Sequence, residues 1–191
     1  MTISSLLAAW VLSAMLAWVP PSTHDWYTVR GLTEASYQSI ADDIATAALD
    51  PEVTPLFAGP SGRAKTALLL AAVASYESSF NATIARGGSV RKGDNDNGRA
   101  VGLWQTHVYG ATEEGWTRAD LASDRQKQIT IALRRMHSSF RACANTPVTA
   151  RLSQYAKGGA GCAPVRESEV RVGRALAWWS THPYAAPVEA L

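Results

Sequence analysis

Glu77 stands near the end of an apolar stretch, TALLLAAVASYESSF, whose residues recur as they do on a helix. Leu70, Val73 and Ala74 lie seven, four and three positions before it and Phe80 three after, so all five share one side of that helix. A carboxylate facing apolar surface is desolvated. Its ionised form is disfavoured and its pKa rises, and a nearby helix C-terminus pushes the same way. A carboxylic acid that stays protonated near neutral pH is what general-acid cleavage of a glycosidic bond requires. The same position also suits a Glu that merely fringes a helix end in solvent. Further along, Asp94-Asn95-Asp96-Asn97-Gly98 offers a second carboxylate, Asp96 or Asp94. Inverting glycosidases need such a partner about 6.5–9.5 Å from the acid. Read plainly, the segment is a polar turn. It is not a calcium loop of the EF-hand kind. Counted from Asp94, Gly98 falls fifth rather than sixth, and the twelfth residue is Gln105 instead of a bidentate Glu.

Three segments follow one another in a recognisable order: Glu77-Ser78-Ser79-Phe80 at a helix end, then a loop rich in Gly, Asn and Asp, then Gly102-Leu103-Trp104-Gln105. Later comes Tyr155 within LSQYAKGG. Over roughly residues 62–180 this pattern resembles the lysozyme-like superfamily, in particular lytic transglycosylases and goose-type lysozymes. The resemblance implies that Glu77 is the catalytic acid, and that Ser78 holds substrate or orients the Glu. It implies that Gly102, Leu103, Trp104 and Gln105 form one wall of a sugar cleft, with Gln105 hydrogen-bonding substrate. Tyr155 would stand across the cleft with its hydroxyl near Glu77, and Asp96 would position an attacking water. Trp104 stands where the family often has Met, and its indole suits the core as well as a sugar face. The implied reaction cuts the β-1,4 bond between N-acetylmuramic acid and N-acetylglucosamine in peptidoglycan, without a cofactor. Water completes it in the lysozymes; the substrate's own hydroxyl does so in the transglycosylases, leaving a 1,6-anhydro end. Such domains serve bacterial envelope enzymes, phage endolysins and phage particles that pierce the wall. The alternative is a virion or envelope binding protein on the same scaffold that does not turn over.

The elements that must position these residues read as mainly α. The resemblance implies a lysozyme-like helical domain with a small irregular or β-hairpin region between residues 82 and 101. Residues 1–21 are expected to form an apolar N-terminal helix, residues 22–61 a linker and first helix, and residues 62–191 the lysozyme-like catalytic domain that the resemblance implies. Thr33 is the expected cap of that first helix, whose Tyr37, Ile40, Ile44 and Ala48 recur at helical spacing before Pro51 stops it. The second helix runs from about Arg63 to Phe80 and, apolar nearly all round, should be buried and central. Ser123 with Gln126 reads as a capping box ahead of the face Ile129, Leu133, Met136 and Phe140. A last helix spans roughly Glu167 to Ser180.

Residues 3–19 carry no charge. They are at the lower limit for spanning a bilayer. They suit a membrane anchor or targeting helix, a helix packed on its own domain, a neighbouring subunit or a virion protein through Leu6, Trp10, Ala14 and Ala17, or a cleaved signal. Cys143 and Cys162, the only two cysteines, bracket the Tyr155 segment. Paired, they would pin that turn and imply an oxidising location such as the periplasm or a phage particle working there; unpaired, they would be buried thiols. His24, His107, His137 and His182 show no metal-ligand spacing with either Cys, so no metal is expected. A net charge of +2 in 191 residues, without a basic run, does not point to nucleic acid. With 47% apolar and 18% charged residues the chain is not disordered or a coiled coil.

Overall fold

The computed structural model describes residues 2–21, 34–86, 100–159 and 161–185. It is mainly helical. The order is α1 (Ile3–Trp18), α2 (Glu34–Leu49), α3 (Gly62–Ser78), α4 (Ala82–Ala85), β1 (Ala100–Val101), β2 (Thr106–His107), α5 (Arg118–Ser123), α6 (Arg125–Ala142), a 3-10 turn at Val148–Ala150, α7 (Ser153–Lys157) and α8 (Arg166–Thr181). Residues 67–74 of α3 have no exposed surface at all, as expected of a helix without a polar face. Around it stand α1, α2, α6 and α8. Arg63, in the first turn of α3, donates to the carbonyls of Ala48, Asp50 and Val53, which satisfies the C-terminal end of α2. Thr66 closes the intervening loop by accepting from the Leu56 amide at 2.8 Å.

The expected face of α6 is buried: Ile129, Leu133, Met136 and Phe140 all pack into the core. Its cap differs from expectation. Asp124 is the N-cap and accepts from the Lys127 amide, whereas Ser123 closes α5 and donates to the Asp120 carbonyl. An Asp one residue further on reaches the free amides directly, so Ser123 has no orphan donor to serve. Gln126 turns to Asp43 instead, beside the Arg125–Asp43 ion pair that ties α6 to α2. The capping box lies one helix earlier, between Thr117 and Asp120. The cap expected at Thr33 falls outside the described residues.

Helix α1 buries Leu7, Ala8, Val11, Ala14 and Met15 in the same apolar cluster as α2, α3, α6 and α8. Its buried stripe is not the expected one, because Leu6 is 36% exposed. A helix apolar on most sides gives periodicity little to choose between. Its Trp10 meets Trp179 edge-on at 5.8 Å and donates to the His182 carbonyl, and Trp18 meets Trp178 at 5.9 Å. Among the described residues no helix is long and apolar enough to cross a membrane.

Candidate active site

Glu77 is in the last turn of α3, and the chain leaves that helix sharply. Ser79 and Phe80 both take left-handed backbone, with φ of 48° and 51°. Ser78 stabilises this turn: its hydroxyl donates to the Ala74 carbonyl and accepts from the Phe80 amide. Ser78 is therefore buried at a helix end and does not line the cleft, which leaves of its two expected roles the positioning of the Glu77 turn. The other non-glycine residue with positive φ among the described residues is Gln105, at 46°. All three thus fall in the two motifs that carry the resemblance. Strain of this kind costs of order 1–3 kcal/mol per residue and gathers where a side chain must be aimed.

Gly102-Leu103-Trp104-Gln105 forms the tight connection between β1 and β2, whose register pairs Ala100 with His107 and Val101 with Thr106. Gly102 has φ of +73°, and a Cβ there would run into the amide of Gln128. That buried amide accepts from the Leu103 N–H at 3.0 Å and donates to the Leu121 carbonyl at 2.7 Å, so it fixes the turn from behind. Leu103 and the Trp104 indole are buried, and Trp104 Nε1 donates to the Leu70 carbonyl at 2.9 Å. Of the four residues expected to form a cleft wall, Trp104 and Gln105 line the cleft, while Gly102 and Leu103 do not and lie behind it. The buried indole also binds the turn to α3. The Gln105 amide nitrogen donates to the Gly102 carbonyl at 2.9 Å, which sets its direction.

The cleft, about 650 Å³, is lined by Glu77 from α3, Gln105 from the turn, Tyr155 from α7, Arg135 from α6 and Arg171 from α8. Tyr155 donates to the Trp104 carbonyl at 3.0 Å, and its own amide is held by Ser139. Its hydroxyl proton is thus given to the turn rather than to Glu77. The two groups are still close enough to sense each other. Burial and then the Glu77 charge push the Tyr155 phenol well above its ordinary value, so it stays protonated. Glu77 keeps 21% of its side chain exposed, and Arg171, with 5%, holds Glu77 Oε1 at 2.7 Å. Burial raises the Glu77 pKa above the usual carboxylate value, and the guanidinium pulls against that rise without cancelling it.

Arg171 went unrecognised in the sequence. No local pattern pairs a residue of α8 with the end of α3; their docking does. One turn further, Arg174 Nη1 donates to Ser75 Oγ at 2.8 Å, so α8 presents two arginines to the polar end of α3. Cys143, capping α6, and Cys162 form a disulfide that closes the segment carrying Tyr155. Asp94 and Asp96 lie outside the described residues. Among the described residues Glu77 is the one carboxylate on the cleft, and no group of His, Cys, Asp and Glu is disposed to hold a metal ion. No model of a known protein family, no curated protein and no solved structure matches this chain.

Proposed function

We propose that this protein is a muralytic glycosidase that cuts the β-1,4 bond between N-acetylmuramic acid and N-acetylglucosamine. Glu77 protonates the leaving oxygen. The observation that carries this reading is a single, half-buried carboxyl group, raised in pKa by burial, facing a cleft with Gln105 and Tyr155. Gln105 orients a sugar through its amide, and Tyr155 holds the turn that aims Gln105. Asp96 is the proposed positioner of water if the enzyme is a hydrolase; the substrate's own hydroxyl takes that part in a transglycosylase. The lysozyme-like scaffold, a peptidoglycan strand as partner and a place in the envelope or in a wall-piercing phage particle belong to the same proposal. The disulfide suits such an oxidising setting. Helix α1 enters this reading as a packing helix, since its buried stripe is in the protein's own core.

The test is digestion of peptidoglycan by the wild type and by Glu77→Gln, with the released muropeptides weighed by mass spectrometry. Loss of the general acid should slow release at least about a hundredfold. Products one water lighter than hydrolysed ones identify a transglycosylase, and reducing ends a hydrolase. The second reading is a binding protein on the same cleft. The Glu77–Arg171 ion pair favours it, because ion pairing stabilises the carboxylate that a general acid must not be. If neither protein releases anything while a known muramidase does, that second reading stands.

A further inference from the structure

Arg171 is a buried cation with too few partners. Its Nη2 meets Glu77, but Nε and Nη1 donate to no acceptor among the described residues. An unmatched buried guanidinium is costly, since its desolvation is recovered only through acceptors. The Tyr76 ring, 4.8 Å from the guanidinium carbon, supplies a π face but no acceptor. The chemistry proposed above makes the shortage worse. When Glu77 carries the proton it must donate, Arg171 loses its one anionic partner. Nothing else on the cleft replaces it: the described charged residues there are Glu77 against Arg135, Lys157 and Arg171. Such a cleft lacks an anion whenever its acid is armed.

We propose that the cleft beside Glu77 is a carboxylate subsite, in which Arg171, with Arg135 and Lys157 on the same cleft, exchanges Glu77 for a carboxylate of the substrate. This rests on the reading of the site as a saccharide cleft and names the substrate's distinguishing group. The carboxylate comes either from the lactyl ether of a stem-free muramic acid or from the peptide stem. As it draws the guanidinium away, Glu77 takes a proton from solvent, so substrate binding arms the acid. Charge balances at each stage: one anion leaves the guanidinium as another arrives, and one proton enters with it. A neutral saccharide binds the same walls without that exchange.

The experiment uses the whole wild-type protein and product-sized disaccharides that lack the MurNAc-to-GlcNAc bond: chitobiose, GlcNAc–MurNAc with its free lactyl group, and GlcNAc–MurNAc bearing a dipeptide stem. Affinity is read by NMR titration, and proton uptake by calorimetry in buffers of different ionisation enthalpy. A carboxylate-bearing disaccharide should bind about tenfold tighter than chitobiose. It should also take up protons where chitobiose takes up none. The lactyl and stem forms separate the two sources. Arg171→Gln should abolish both the preference and the proton uptake, so that the acidic disaccharides bind no tighter than chitobiose does to the same variant. Lys157→Ala, on an exposed helix end, should weaken the preference in a protein whose core is untouched. Equal affinity for all three sugars without proton uptake overturns the carboxylate subsite and leaves the saccharide reading intact. Binding of the free dipeptide alone, with none of the sugars bound, overturns both.

Discussion

Glu77 answers to two opposed neighbours, and their balance has a measurable sign. Burial raises its pKa, and Arg171 lowers it by less. In the proposed reaction the acid form is the catalytic one, so activity should fall as pH rises through the Glu77 pKa, with that alkaline limb lying above the range of an ordinary Glu. Arg171→Gln keeps hydrogen-bond donors and removes the charge that favours the carboxylate. The alkaline limb of kcat/KM should therefore move further up; a downward move would mean that Arg171 does not tune Glu77. Stability carries the same signature. A carboxyl whose folded pKa is raised contributes stability below its unfolded pKa and loses it as pH climbs through the folded value. Glu77→Gln should match the wild type in acid and gain on it through that window, then hold a constant lead. Denaturant midpoints of the two proteins across pH check this. A lead for the wild type that grows with pH would mean the ion pair dominates over burial.

Helix by helix, the long apolar elements were legible and their docking was not. A run such as residues 67–74 can only be a central helix, and the 3.6-residue recurrence of Ile129, Leu133, Met136 and Phe140 names its own buried face. The Ser123 cap failed because two adjacent residues could serve and only the approach of the helix end decides between them. At the site, Glu77, Gln105 and Tyr155 were legible from motif order. Ser78, Gly102 and Leu103 carry the same motifs for a different reason: they shape the two strained turns that aim Glu77 and Gln105, and Trp104 both lines the cleft and ties its turn to α3. The Arg171 pairing is set by how α8 lies on α3, which leaves no trace in spacing. The disulfide acts at this scale too. Cys143 and Cys162, 19 residues apart, enclose both Ser153–Lys157 and the glycines after it, which line the cleft. Cutting that loop open should cost about 3 kcal/mol in the chain-entropy account. Replacing both cysteines by Ser should lower the urea midpoint accordingly and slow the proposed peptidoglycan cleavage, whereas a stable but slow double variant would place its role in holding the cleft wall alone. An unchanged midpoint and rate would show that the bridge constrains nothing.

For the molecule as a whole, what matters is that α1 shares one core with the site helices. Leu7, Val11 and Met15 have no exposed surface, and the tryptophans of α1 meet those of α8, the helix that carries Arg171. Arg174 spans both relations, its guanidinium 5.8 Å from the Trp18 ring and its Nη1 on Ser75. A helix that served only to reach a membrane or another protein would leave the fold indifferent to these side chains. A helix of the core would not. Leu7→Ala should therefore cost about 2–5 kcal/mol, as large-to-small changes in packed cores do. Its thermal midpoint should fall by several degrees. Leu6→Ala, one position away on the exposed side, should leave the midpoint within about a degree, because surface substitutions rarely exceed ~0.5 kcal/mol. The pair separates packing from mere apolarity, since both changes remove the same atoms from the same helix. Equal, small effects would detach α1 from the core. The large difference expected here would make the packing of α1 part of what holds α8 against α3, and so part of what holds Arg171 at Glu77.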